Sequence, residues 1–280
     1  MDGKLRYDGV RSFLESRGIQ LSYGDPEDPP SRVTICGLGN LKDEMVKELV
    51  EDEYEVYLLQ NHRLAVKLLM EFNGSVLFIN IDYNLKEEET WEAYIKALME
   101  AEATGDTKIG VVSYESDKQL IEKYLMELLV PCGFVRLSQG FKESLSIIKK
   151  ALDANEAKRR RKYVRVKCKD PMKATFNIAK EGNIHTGQVL DISSFGMSIA
   201  FDNARNPVFE NKEYLPNIQL RLNGVLCRAA GYVIGRVDGV RLANIIVFSK
   251  ETDQSSREKI HHFVHHCLQY EIDQKLKALA

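Results

Sequence analysis

The hydrophobic period of this chain changes once, and it changes across a basic run: of the twelve residues from Lys158 to Lys169, eight are Lys or Arg. Before the run, short β-branched apolar segments alternate with longer amphipathic ones. Val33 to Cys36, Glu55 to Leu59, Ser75 to Ile81, Lys108 to Ser113 and Phe134 to Leu137 read as strands. Glu44 to Val50, Leu64 to Phe72, Glu89 to Ala101, Lys118 to Leu129 and Phe141 to Ala157 read as helices. A βα unit repeated five times needs crossovers that bury a parallel sheet between two helical layers. After the run, short period-two runs take over: Ala174 to Ile178, Thr186 to Leu190, Met197 to Phe201, Ile218 to Leu222, Cys227 to Ile234 and Val240 to Phe248, broken by Gly182, Gly187, Gly224 and Gly239. Such strands predict an antiparallel barrel or sandwich. A helix from Ser255 to Lys277, capped by Asp253, closes this half with an apolar stripe of Ile260, Phe263, Val264, Cys267, Leu268 and Ile272.

The 280 residues therefore divide into a lead segment 1–31, an α/β domain 32–155 and a mainly-β domain 156–280. The lead segment carries a short helix, Val10 to Arg17, and a Gly- and Pro-rich linker, Ser22 to Ser31. With 44% hydrophobic and 29% charged residues, each domain has the composition for its own core. A net charge of −2 argues against nucleic-acid binding through bulk charge. Five scattered cysteines without a CxxC pair, no apolar leader and no run of about 18 apolar residues set the expectation of a cytoplasmic protein with reduced thiols and no membrane span.

The order and spacing of the first domain resemble the receiver domain of two-component signalling, a flavodoxin-like fold. The resemblance covers Arg32 to about Lys150 and departs where phosphotransfer chemistry belongs. Receivers carry an acidic pair after the first strand to hold Mg²⁺; here that place reads Gly37-Leu38-Gly39. The phospho-accepting aspartate should end the third strand, which leads instead into Asn80, an amide that cannot form an acyl phosphate. Asp82 follows without metal carboxylates, Ser113 matches the hydroxyl position ending the fourth strand, and the lysine due at the end of the fifth is missing from Arg136-Leu137-Ser138-Gln139. The expectation is a degenerate receiver that serves as a protein-binding or dimerising surface. Gly37-Leu38-Gly39 also begins a dinucleotide fingerprint, but its third glycine falls at Lys42, so the segment reads as a tight βα turn.

In the second domain, Arg161-x-x-x-Arg165 and, after 25 intervening residues, Asp191-x-Ser193-x-x-Gly196 resemble the two signature motifs of the PilZ family, RxxxR and [D/N]xSxxG, in the family's order. The resemblance spans about Arg159 to Tyr270. It implies a six-stranded antiparallel barrel with a terminal helix, and binding of the second messenger cyclic di-GMP by Arg161, Arg165, Asp191, Ser193 and Gly196. It also associates a basic residue at Arg160 with a stacked pair of ligands. The chemistry suits these residues. A planar, forked guanidinium can clasp phosphate oxygens or guanine O6 and N7, and Asp191 can accept from guanine N1–H and N2–H. Ser193 offers a hydroxyl, and Gly196 a turn without a Cβ in the way. Val164 and Val166 favour an extended arginine segment over a helical one.

His261, His262, His265 and His266 form two helical i, i+4 pairs, a spacing able to chelate zinc. No glutamate completes HExxH, so they read as a solvent- or partner-facing helix without metal. No nucleophile–base pair stands out. The expectation is a non-enzymatic cyclic di-GMP effector without cofactor, acting on a protein partner through ligand-dependent domain orientation. The alternatives are a phosphorylation-controlled response regulator and a nucleic-acid-binding module using 158–169, although no aromatic ladder accompanies those basic residues.

Overall fold

A computed structural model describes residues 33–36, 43–59, 61–72, 74–83, 85, 89–155, 163–169, 173–202, 209–237 and 243–279. Gly37 to Lys42, Arg160, Arg161, Gly239, the lead helix and its linker lie outside the described residues. The chain forms two compact units, one from residues 33–155 with 268–279, the other from 163–267.

The first unit alternates β1 (Val33–Cys36), α1 (Asp43–Glu51), β2 (Val56–Leu59), α2 (His62–Glu71), β3 (Val76–Asn80), α3 (Trp91–Glu100), β4 (Lys108–Ser113), α4 (Lys118–Glu122), β5 (Phe134–Arg136) and α5 (Phe141–Ala154). Its five strands are parallel in the order β2-β1-β3-β4-β5. β3 shows why the run Val-Leu-Phe-Ile belongs at the centre: all five of its residues are buried, because helices cover both faces of a parallel sheet. Met45, Leu49, Leu145, Ile148 and Leu152 of α1 and α5 pack with Val56, Val76, Phe78 and Val112 on one face. Leu77, Ile79 and Val111, which alternate with these, are equally buried on the other. Each such side chain contributes about 1.5–3 kcal/mol on burial. Local signals start the helices: the side chain of Asn61 accepts from the N–H of Arg63 and Leu64, and that of Thr90 from Ala93.

α4 departs from the expected single helix. After Glu122 the chain widens into a π turn, Lys123–Glu127, in which Leu128 N–H reaches Lys123 C=O at 3.0 Å. At the open edge, Leu58 donates its N–H to Gln269 Oε1 and accepts from Gln269 Nε2, both at 2.8 Å. One side-chain amide thereby satisfies both backbone polar groups of Leu58, of the kind an edge strand leaves unpaired.

The second unit contains β6 (Arg165–Lys167), β7 (Ala174–Lys180), β8 (Asn183–Ser193), β9 (Gly196–Phe201), β10 (Tyr214–Leu222), β11 (Val225–Val237), β12 (Ala243–Phe248) and α6 (Gln254–Leu279). Antiparallel pairing runs β8-β7-β10-β11-β12-β9, and β9 pairs back to β8, which closes a six-stranded barrel; β6 adds to β8 as an extra strand. Closure leaves the six barrel strands without a free edge. In β7, Ala174, Phe176 and Ile178 are buried while Thr175, Asn177 and Ala179 are exposed, the period of two that the sequence displays. Gly182 and Gly224, at φ +75° and +84°, make the β7–β8 and β10–β11 turns. Gly187 instead lies inside β8, where a Cβ would collide with the carbonyl of Ala200. Pro216 is tolerated within β10 because the register slips between Leu215 and Ile218. Asp253 caps α6, accepting from Ser256 N–H at 2.9 Å and Ser256 Oγ at 2.8 Å. Those bonds hold its carboxyl below its ordinary pKa. No helix among the described residues is long and apolar enough to cross a membrane.

Candidate nucleotide-binding site

β8 is the frame of the site. Val189 pairs with Ile199, yet the next pair is Asp191 with Ser198, so Leu190 is an extra residue without a partner on β9. Such a bulge reverses the alternation. Val189 and Ile192 both face the buried interior, and Asp191, which an unbroken strand would turn inward with Val189, faces the opposite side. The Leu190 carbonyl is taken by Cys168 N–H at 2.8 Å, just beyond β6.

β6 brings the second charge. Arg165 pairs with Ser193, Val166 with Ile192 and Lys167 with Asp191. Arg165 Nε donates to Asp191 Oδ1 at 2.6 Å, and Nη2 contacts the same oxygen. The other carboxylate oxygen accepts from Ser198 Oγ at 2.6 Å. The ion pair is partly open, with side-chain exposures of 42% and 24% for Arg165 and Asp191. An exposed pair of this kind is worth about 0.2–1 kcal/mol, so it shapes the resting site more than it stabilises the fold.

The remaining motif residues build the turn. Ser193 is buried, donating to Gly196 C=O at 3.1 Å and accepting from Phe195 N–H at 3.3 Å and Gly196 N–H at 3.2 Å. Its hydroxyl is engaged with its own chain rather than turned to a ligand. Asp191 and Ser193 belong to β8, which runs past the expected strand end at Leu190, and the turn itself is Ser194-Phe195. Gly196 opens β9 without a left-handed φ; a Cβ there would strike the Ile246 carbonyl and come within 3.1 Å of Val247 Cα. Close approach of β12, not turn conformation, demands the glycine.

Further neighbours are not among the signature positions of either motif. Ser198 carries no spacing signal in the sequence. Tyr163 stacks on Phe195 with ring centroids 4.6 Å apart, and Phe195 packs against the buried pair Tyr232 and Val247. An aromatic residue inside each motif was the available clue to that contact. Burial, helped by Cys267 and Asp191, raises the Cys168 thiol above its ordinary pKa, so it is a poor nucleophile beside the site.

In the other unit, Asp82 meets Ser113 and Tyr114. Ser113 Oγ donates to Asp82 Oδ1, Tyr114 N–H donates to Oδ2 at 3.0 Å, and Asn80 Oδ1 accepts from Asp82 N–H at 3.0 Å. The carboxylate bridges the ends of β3 and β4. On α6, His262 and His266 are exposed with near-parallel rings 6.4 Å apart, whereas His261 and His265 are half-buried, so the four do not share one solvent face. Among the described residues no group of three His, Cys, Asp or Glu could hold a metal ion.

No protein-family model matches the chain. A beta-phosphoglucomutase of Mycobacterium tuberculosis is 51% identical over 53 residues, 19% of this chain and 20% of that protein, so the chain spans about a fifth of the length of the curated relatives it matches. Among solved structures, the chain is similar to the PilZ domain of YcgR from Escherichia coli with c-di-GMP (TM-score 0.36, 14% identity, 42% of this chain and 98% of that one). It is also similar to the K. pneumonia MrkH–c-di-GMP complex (TM-score 0.35, 17% identity, 43% and 56%). A third likeness is to the Bacillus subtilis inhibitor of motility MotI/DgrA (TM-score 0.33, 15% identity, 41% and 53%).

Proposed function

We propose that this chain is a non-enzymatic PilZ-type receptor for cyclic di-GMP. The observation that carries the reading is the meeting of Arg165 and Asp191 beside the Ser193–Gly196 turn, on the side of β8 turned away from the barrel interior. A guanidinium able to take phosphate or guanine O6 and N7, and a carboxylate able to take guanine N1–H and N2–H, share one partly exposed patch. Arg165 and Asp191 are the direct contacts in this reading, together with Arg160 and Arg161, which precede β6. Ser193 and Gly196 act by shaping the turn. Arg160 favours a stacked pair of ligands.

The parallel α/β unit acts as a degenerate receiver and docks a protein partner. Asn80 in place of an acceptor carboxylate, and the engagement of Asp82 with Ser113 and Tyr114, support a role without phosphotransfer. The ligand orders the arginine segment between the units and changes their orientation; scattering profiles identical with and without ligand would overturn that step. Calorimetry with cyclic di-GMP on the native chain, Arg161→Ala and Asp191→Ala tests the receptor reading and counts the ligands. Tight binding by the native chain and weaker binding by both variants is expected. Equal affinities in all three would reject the site.

A further inference from the structure

We propose that Ser198 is a specificity-determining residue, holding the Asp191 carboxylate so that its two oxygens meet the two N–H groups of a guanine edge. The inference rests on the cyclic di-GMP reading and extends it to a residue outside both motifs. Ser198 stands directly across from Asp191 in the β8–β9 register because the extra residue Leu190 advances β8 by one. Ser198 is 6% exposed, and its hydroxyl donates to Asp191 Oδ2 at 2.6 Å.

The other donor to this carboxylate is of a different kind. The Arg165 fork converges on Oδ1 from a side chain that is 42% exposed, and a phosphate can draw it away. Once it turns, Oδ1 is open, and the buried Ser198 hydroxyl still fixes the plane of the carboxylate. An ionised carboxylate has about two acceptor sites on each oxygen. Ser198 takes one on Oδ2, which leaves at least one on each oxygen for guanine N1–H and N2–H in parallel. Without the hydroxyl, the terminal torsion of Asp191 is broad and the two-oxygen alignment is lost. A single hydrogen bond to N1–H then survives more readily than the pair.

Cyclic di-IMP separates these cases, since hypoxanthine keeps N1–H and lacks the exocyclic N2 amino group. Calorimetry on the full chain should show the wild type binding cyclic di-GMP about 10-fold tighter than cyclic di-IMP, as expected for one well-aligned hydrogen bond to a charged acceptor. In Ser198→Ala that ratio should fall to about 2-fold, with cyclic di-GMP weakened and cyclic di-IMP nearly unchanged. Ser198→Thr, which keeps a hydroxyl, should restore it. A purely structural role would weaken both ligands equally and leave the ratio intact, and that result overturns the proposal. Wild-type binding of cyclic di-GMP with an unchanged ratio in Ser198→Ala also overturns it, while leaving the receptor reading standing. A wild-type chain that binds no cyclic di-GMP overturns both.

Discussion

The ring of Tyr163 lies on that of Phe195 with their planes 16° apart, which ties the segment between the two motif arginines to the turn of the second motif. Phe195 is held in its own right, since its carbonyl accepts from Phe248 N–H at 2.8 Å. An aromatic pair contributes about 0.5–1.5 kcal/mol beyond its burial. Tyr163→Ala should therefore weaken cyclic di-GMP binding roughly 2- to 12-fold by calorimetry, and Tyr163→Phe, which keeps the ring, should weaken it less.

Removing either charge at the centre should cost binding more than stability. A hydrogen bond to a charged group is worth about 1.5–3 kcal/mol, so Arg165→Ala and Asp191→Ala should each weaken cyclic di-GMP by about 10- to 150-fold. Their urea midpoints should stay close to that of the native chain, because the resting ion pair contributes about 1 kcal/mol or less.

Two glycines should respond for different reasons. Gly196→Ala drives a Cβ into the Ile246 carbonyl and should destabilise the barrel by about 1–3 kcal/mol, read from the denaturant midpoint. Gly224→Ala meets nothing within 4 Å, yet at φ +84° it should cost about 1–2 kcal/mol in backbone strain alone.

His265 supplies a pH test. Burial, with His262 and His266 nearby, lowers its pKa to about 4 from an ordinary 6.5. Between those values the unfolded chain binds a proton that the folded chain refuses, so this contribution is complete above pH 6.5 and is lost as pH falls towards 4. The loss at the low end is on the order of 3 kcal/mol. Chemical denaturation at pH 7 and pH 5 should show a drop for the native chain that shrinks in His265→Gln.

Acetyl phosphate with Mg²⁺ should leave the chain unlabelled, as read by intact mass. A stable phosphoryl adduct on Asp82 would restore the response-regulator reading.

Much of this architecture is legible in the residues. The uninterrupted apolar run Val76–Ile79 reads as a strand buried on both faces, and the alternation in Ala174–Lys180 as one buried on a single face, because side-chain period follows the number of covered faces. Asp253 reads as a helix cap and is one. The residue types at Arg165, Asp191, Ser193 and Gly196 likewise state what chemistry is available. Where those groups point is another matter. By the period of two, Asp191 should share the inward face of Val189, and Ser193 should be as free as any strand hydroxyl. The bulge at Leu190 turns Asp191 to meet Arg165 and Ser198, the Ser194–Phe195 turn consumes the Ser193 hydroxyl, and the approach of β12 sets the demand for Gly196. Each depends on the register between strands distant in sequence, and register is a property of the pair, which no single strand carries within itself.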